Sequence, residues 1–371
     1  MLDLHFEESR PFTLGVEVEL QLLNPHTLDL QSAAPRILEM VPPDFSERIK
    51  QELLQSMVEV LTGICGSVDE VERDLGDGLR MAGDLARAND CLLFASSLHP
   101  FARTADQLIM EDARYQRILE ELQLVGRRFI TQGLHVHVGI PDRETAIIIC
   151  DTMQPYLALL LALTSSSPFF EGEDTGFVSY RTKLFEALPL AGLSEFLGNW
   201  EGYVKTVRQL HDYGIIRNIR DIWWDVRPHP DFGTIEIRVC DLPTRFGDIL
   251  AITAMVQAFT ALLAEGAVVP QRVNNQILRY NKWQACRHGL AGTFVDALGL
   301  LTDQPIPMQR AVVLLLERLE PLLCRFGTRH HMKTIREILE RGTGADIQRR
   351  LYQQTHDFQT MIQLLREDFM P

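Results

Sequence analysis

Cysteine is scarce in this chain and nowhere paired along the sequence. The six cysteines stand at positions 65, 91, 150, 240, 286 and 324, and no two form a Cys-x-x-Cys. That removes the redox and zinc signatures which depend on such spacing. Without a secretion signal, the six are expected to be free, buried thiols of a reducing cytosol. The segment Met1 to Pro11 is acidic and polar and does not read as a signal peptide. Long apolar runs are also lacking. The most apolar stretch, Tyr156 to Leu163, is far too short to span a bilayer, and the helix around it carries Glu144, Asp151 and Pro155. Basic residues are outnumbered, 36 Lys plus Arg against 50 Asp plus Glu, for a net charge of −14. Broad binding to nucleic acid or to an anionic membrane is therefore not expected. An anionic small molecule is still allowed, since local cations can invert the field. The expectation is a cytoplasmic protein acting on small molecules, with a homo-oligomer left open.

Low-complexity segments, fixed-period repeats and long linkers are absent from the 371 residues, and Pro and Gly are spread evenly. This favours one continuous catalytic domain over residues 1–371, ending in a helical extension from about 300 to 371. Helical spacing runs through Val68 to Phe94, opened by a Ser67/Glu70 capping box, and through Glu111 to Arg127, Glu144 to Thr164 and Ser194 to Leu210. It continues through Arg245 to Ala264, Met308 to Arg325, His331 to Glu340 and Ile347 to Arg366. Strands are fewer: Leu14 to Leu23, Leu92 to Ser96, Gly133 to Ile140 and Gly233 to Val239. Helices that outnumber strands and cluster late predict an α+β fold.

Three of the strands alternate strictly, so each has an apolar and a polar face. Val16, Val18 and Leu20 oppose Glu17, Glu19 and Gln21. Leu134, Val136 and Val138 oppose His135 and His137. Ile235, Ile237 and Val239 oppose Glu236 and Arg238. Taken singly, each could be a half-solvated strand. Solvated faces, however, usually carry Lys, Thr, Ser and Gln, whereas these carry Glu, His, Arg and one Gln. Carboxylates two residues apart repel unless a cation sits between them. Paired in one sheet, the three strands would form an acidic, imidazole-containing floor suited to a divalent metal, with Mg²⁺ or Mn²⁺ favoured over Zn²⁺ by the oxygen-rich ligands. A further segment, Arg48 to Leu61, holds Glu52 and Glu59 seven residues apart, on one face if helical. They become candidates for a second metal.

No other chemistry competes. There is no Walker lysine motif and no GxGxxG after a strand. The Gly63–Gly66 stretch is too short and apolar for a phosphate loop. Ser165 to Ser167 reads as a helix-ending turn before Pro168, and Trp223 and Trp224 read as core.

At this point the residues match a family. FTLGVEVE (12–19), QSMVE (55–59), HPF (99–101), GLHVHVG (133–139), Ser166 to Phe169 with Gly172 and Asp174-Thr175, WDVRP (224–228), FGTIEIRV (232–239) and NKWQACRHGL (281–290) follow in order. From about residue 11 to 292 the chain resembles the type 2 glutamate–cysteine ligase family, in its bacterial carboxylate–amine ligase branch, a family similar in fold to the catalytic domain of glutamine synthetase. One departure is Leu98, where the family commonly has Thr. The resemblance implies an antiparallel sheet curved into a funnel with helices on its outer face. It also implies ATP-dependent joining of a carboxylate to an amine, with glutamate and cysteine as default substrates. By the same resemblance, Glu17, His135 and Glu236 would hold one metal, and Glu19, Glu52 and Glu59 a second. His137 would lie beside the nucleotide phosphates. Arg238 would face the transferring phosphoryl, making Arg238 and Glu236 the catalytic pair. Arg181 and Arg227 would grip a substrate carboxylate.

This assignment is chemically coherent. A carboxylate is a poor electrophile, and phosphorylating it creates a leaving group. Both reactants are anionic, so metal ions and a fixed guanidinium must offset their repulsion. Two rivals share the same ligands: a metal-dependent hydrolase, and a nucleotide- or metal-binding module with weak catalysis.

Overall fold

Strand β1 (Leu14–Leu23) organises the molecule, which is described here by a computed structural model over residues 4–369. Its alternation is realised as expected: Leu14, Val16, Val18 and Leu20 are at most 1% exposed, while Glu17 and Glu19 on the other face are only partly buried. The remaining strands of the sheet are β2 (Ile49–Gln51), β3 (Met57–Leu61), β4 (Leu92–Phe94), β5 (Leu134–Gly139), β6 (Val226–His229) and β7 (Thr234–Ile237). Their spatial order is β6-β7-β5-β1-β3-β2, antiparallel throughout, with β4 paired to the far end of β1. Helices cover the apolar face: Val68–Ala88 lies against β1 and β3, Arg143–Met153 against β6 and β7, and Phe246–Ala264 against β5. The fold is α+β, an open antiparallel sheet with helices on one side.

The segment Arg48 to Leu61 is not helical. It forms β2 and β3, with Glu52 in the connection between them. The physical reason is visible in Met57 to Leu61: Val58 and Val60 are fully buried and flank Glu59 at a period of two, and β-branched residues pack well on a pleated surface. Several helices are shorter than their periodicity suggests. Pro155 splits 143–164 into Arg143–Met153 and Leu157–Thr164, joined by a 3₁₀ turn. Gln123 (φ +49°) ends the helix Ala113–Leu122, and His356 (φ +51°) separates Gly344–Thr355 from Phe358–Glu367. Ser67 does cap Val68–Ala88, accepting from the Glu70 amide, but the Glu70 carboxylate accepts from Gly66 rather than closing the box. The helix over 194–210 starts only at Trp200, capped by Asn199, and Asn275–His288 is a helix not anticipated from spacing.

Two stretches, Arg143–Thr164 and Phe246–Ala264, are long and apolar enough by composition to cross a membrane. In the fold, 94% and 89% of those windows are buried, so their apolar surface is taken up by the protein's own core. Five of the cysteines are buried, whereas Cys324 is exposed, contrary to expectation. The late helices are tied to the sheet: Ile347, Met361, Ile362 and Leu365 pack with Leu23, Leu28 and Phe94, and Gln348 Nε2 donates to the Ser166 carbonyl at 2.7 Å.

The turn from β6 to β7 fixes the register that places Glu236. It passes through a 3₁₀ turn, Pro230–Phe232, and closes at Gly233 with φ +61°. A Cβ there would lie 2.0 Å from the Glu7 carbonyl oxygen. We expect Gly233→Ala to lower stability by about 3 kcal/mol, combining left-handed strain with the clash. Urea unfolding measures this, and a loss below about 0.5 kcal/mol would mean that the Glu7 segment does not close over this turn.

Candidate active site

The polar face of the sheet forms the floor of a cavity of about 300 Å³, and all ten side chains singled out from the sequence line it. Register explains the convergence. Glu19 lies directly opposite Glu59 on β3, and Glu17 opposite His135 on β5. His137 lies opposite Glu236 on β7, which in turn is opposite Arg227 on β6. Glu52 joins them from the β2–β3 connection.

Three groups of side chains bring ligand atoms within 4.8 Å of one another: Glu19, Glu52 and Glu59; Glu17, Glu59 and His135; and Glu17, His137 and Glu236. The first matches the expected second metal set. The structure does not bring Glu17, His135 and Glu236 together as one such group. It is His137 Nε2 that lies 3.4 Å from Glu17 and 3.9 Å from Glu236, because the cross-strand partner of Glu236 is His137. His135 sits between the sets, with Nδ1 3.1 Å from Glu17 and Nε2 4.0 Å from Glu19.

The electrostatics of the two ends differ. Burial works against ionisation of Glu236, but the Arg227 and Arg238 guanidiniums override it and hold this carboxyl well below the usual range. Arg227 Nε donates to Glu236 Oε2 at 2.6 Å, and Arg238 donates to Oε1. Burial would likewise raise Glu17; hydrogen bonds and charge from His135 and His137 reverse this and keep it ionised. At the other end the opposing pull of Arg181, Arg238 and the Gly133 amide, which donates to Glu19 at 2.6 Å, is outweighed. Burial and the Glu52 charge push Glu19 up to about 8, and burial with Glu17, Glu52 and Glu19 pushes Glu59 well up. Burial also lowers His135 to about 4, leaving a neutral imidazole, while His137 is raised because the Glu17 hydrogen bond and the Glu236 charge outweigh its burial. Carboxyls kept from ionising by burial and by one another are a donor set that an oxygen-seeking dication relieves, so the residues fit Mg²⁺ or Mn²⁺.

The two arginines assigned to a substrate carboxylate are largely engaged within the protein. Besides Glu236, Arg227 donates to the carbonyls of Ile219 (3.3 Å) and Ile222. Arg181, 3% exposed, lies 3.8 Å from Asp241 and donates to the carbonyls of Arg238 and Val239 at 3.3 and 3.4 Å. Asp241 also accepts from Ser166 N, Ser167 Oγ and Ser179 Oγ, which gives the Ser165–Ser167 turn a structural part. Leu98 packs with Leu53, Leu54, Met57 and Ile130, and His99 is a buried, neutral imidazole bonded to the Leu28 carbonyl at 2.9 Å, so this loop serves packing. Trp224 is buried as expected, but Trp223 lines the cavity. The sequence reading missed Arg114, Tyr115, Arg220, His229 and Phe232 as cavity residues. His229 and Phe232 lay in or beside quoted motif stretches and were findable; Arg114 and Arg220 carry no local signal.

Comparison with known proteins shows the family of the chain. Residues 13–366 match the model of glutamate-cysteine ligase family 2. A relative from Gloeobacter violaceus, provisionally named glutamate–cysteine ligase 2, is 38% identical over 97% of this chain and 98% of its own length. One of the same provisional name from Solibacter usitatus is 36% identical over 96% and 93%. In fold, the chain is similar to the glutamate–cysteine ligase of Francisella tularensis in complex with AMP, with a TM-score of 0.72, 13% identity, and coverage of 98% of this chain and 90% of that one. It is also similar to a bifunctional glutathione synthetase of Pasteurella multocida, with a TM-score of 0.71, 15% identity, and coverage of 96% and 52%.

The crowded carboxylates make metal-free stability depend on pH. A carboxyl whose folded-state value is raised stabilises the fold while protonated, and loses that contribution as pH rises toward the folded value. For Glu19 the window runs from 4.5 to about 8. His137, raised from 6.5, acts in the same direction. His99, His135 and His229, lowered to about 4, are neutral in both states above 6.5. Glu17 and Glu236, lowered from 4.5, act only below that value. In chelator, stability should therefore fall from pH 6.5 to pH 8 while the melting transition stays cooperative, and Mg²⁺ should flatten the slope. Glu59→Gln should raise chelated stability at pH 8 by about 1 kcal/mol or more and blunt the response to Mg²⁺. Identical melting of the chelated protein at both pH values would contradict the repulsion.

Proposed function

Because the chain belongs to glutamate-cysteine ligase family 2 and is an ATP-dependent carbon–nitrogen ligase, we propose that it joins the γ-carboxylate of glutamate to an amine such as cysteine through an acyl phosphate. The observation that carries this reading is the convergence of five glutamates, two histidines and Arg238 in one cavity at fixed strand registers. The AMP carried by the Francisella tularensis ligase of like fold supports a nucleotide substrate.

Glu19, Glu52 and Glu59 would hold one divalent cation, and Glu17 and Glu236 with His135 or His137 a second. Bound there, Mg²⁺ or Mn²⁺ would supply neutralisation of the polyphosphate and of the reacting carboxylate. The chain's own residues do the rest. Arg238 presents a permanent cation beside Glu236, placed for charge that moves onto the transferring phosphoryl. Arg227 and Thr234 hold Glu236 and His137 in position, the latter through His137 Nδ1 at 3.0 Å from Thr234 Oγ1. The substrate carboxylate attacks the γ-phosphorus and releases ADP. The amine then attacks the acyl carbon, the C–O bond to phosphate breaks, and the proton lost from nitrogen passes to the departing phosphate or to solvent. We also propose that residues 1–371 act as one catalytic unit, with the late helices bracing the sheet.

Glutamate carrying ¹⁸O in its carboxylates tests the acyl phosphate. Turnover with Mg-ATP and cysteine should deliver one label to inorganic phosphate, together with an amide product identified by mass. Phosphate without label, released at the same rate when acid and amine are omitted, would mean plain ATP hydrolysis.

A further inference from the structure

Five arginines line the cavity, and their partners divide them into two groups. Arg227 and Arg238 close on Glu236, and Arg181 lies against Asp241. Among the described residues, neither Arg114 nor Arg220 has a carboxylate within ion-pair distance. Arg114 donates to the Arg220 backbone carbonyl at 3.1 Å, and its Nε is buried without a partner. That single bond brings the start of helix Ala113–Leu122 to the turn Ile219–Asp221, so both side chains share one corner of the cavity.

Both arginines stand on backbone that is fixed independently. The Asp112 carboxylate accepts from the Arg114 and Tyr115 amides at 2.8 and 3.3 Å. Asn218 Oδ1 accepts from the Arg220 amide at 2.9 Å, and Asp221 caps the same turn by accepting from Arg217 N at 2.9 Å. The guanidiniums are thus presented on capped chain ends: Arg114 spends one Nη2 donor on the Arg220 carbonyl and keeps its buried Nε unpaired, while the exposed Arg220 guanidinium has no carboxylate partner among the described residues. A buried donor left unmade is costly, and a guanidinium fork matches a carboxylate in geometry and charge. A cavity with an acidic floor also needs cations wherever an anionic substrate is to enter.

We propose that Arg114 and Arg220 bind the non-reacting carboxylate of a substrate. The choice of carboxylate over another anion rests on the ligase reading above. The carboxylate belongs either to the acid or to the amine, and the two sources are separable.

The test is calorimetric titration into the full chain with Mg²⁺ and a non-hydrolysable ATP analogue present. One arm compares L-glutamate with its α-amide, and the other compares L-cysteine with cysteamine. In at least one arm the carboxylate-bearing ligand should bind on the order of tenfold more tightly. Arg114→Gln and Arg220→Gln should each erase that preference and leave affinity for the analogue unchanged. Arg114→Lys, which keeps the charge and the aliphatic stem, should restore part of it and guards against a general loss of packing. The arm that responds names the substrate. The proposal is overturned if neither arm discriminates in the unmodified protein, if the variants keep the preference, or if they lose the analogue instead. If the analogue does not bind at all while the carboxylate preference is present and lost on substitution, the clamp stands and the ligase reading falls.

Discussion

Like charges held together in a buried cavity are the constraint on which the rest of this structure depends. Antiparallel register sets Glu19 against Glu59 and Glu17 beside two imidazoles, with Glu52 added from the β2–β3 connection. Left alone, such a face would separate or protonate. What holds it is the opposite face of the same strands. Leu14, Val16, Val18 and Leu20 are buried beneath the helices, each contributing about 2 kcal/mol. Because the side-chain period of a strand is two, the core and the carboxylates cannot be separated: a shift of β1 by one residue would drive the glutamates into the core and the valines into the cavity. The apolar face thus enforces the polar one.

The repulsion is not resolved evenly, and the asymmetry is informative. At the β6–β7 end, Arg227 and Arg238 neutralise Glu236 within the protein, so this carboxylate stays ionised at any ordinary pH. At the β1–β3 end, Glu19, Glu52 and Glu59 face one another with no Lys or Arg in ion-pair contact among the described residues, and their carboxyls are raised. The first end is preorganised and insensitive to its surroundings. The second resists ionisation at neutral pH, and a bound dication would favour its charged form. The proposed phosphoryl transfer between two anions would draw on both properties, a fixed positive charge and a recruitable one.

Legibility in the sequence followed the range of the interactions. The strands β1, β5 and β7 are readable because alternation is local and strict; their Glu, His and Arg positions line the cavity, whereas Gln21 is fully buried against Ser96 and Gln132. Glu52 and Glu59 stand out as candidates from their spacing, but the spacing suggests one face only if the segment is helical; strands of three and five residues joined by a turn leave too little period to recognise. The partition of the histidines was out of reach for another reason: which of His135 and His137 meets Glu236 is decided by cross-strand register, which alternation within one strand does not encode. Helix breaks at Gln123 and His356 rest on positive φ at residues other than glycine and leave no compositional trace. Arg114 and Arg220, which stand 106 residues apart, meet only through the tertiary fold.

The division of labour between sheet and covering helix has its own logic. Groups that must be positioned to a fraction of an ångström stand on strands, whose rotamers are locked by neighbours on both sides. The opposite wall is built differently. In helix Ala113–Leu122 no residue is fully buried, although Ile118, Leu119 and Leu122 line the cavity, and its Arg114 and Arg117 reach the turn Ile219–Asp221 through a 3.1 Å bond to the Arg220 carbonyl and a 3.9 Å contact with Asp221. A helix with little buried surface and few polar ties is drawn from the low-stability end of the fold. Such an element can yield to admit a ligand and still carry an arginine to it, whereas the strands beneath cannot yield without exposing the core. The rigid face therefore suits groups that act on reacting atoms, and the loosely packed wall suits contacts that select which molecules reach them.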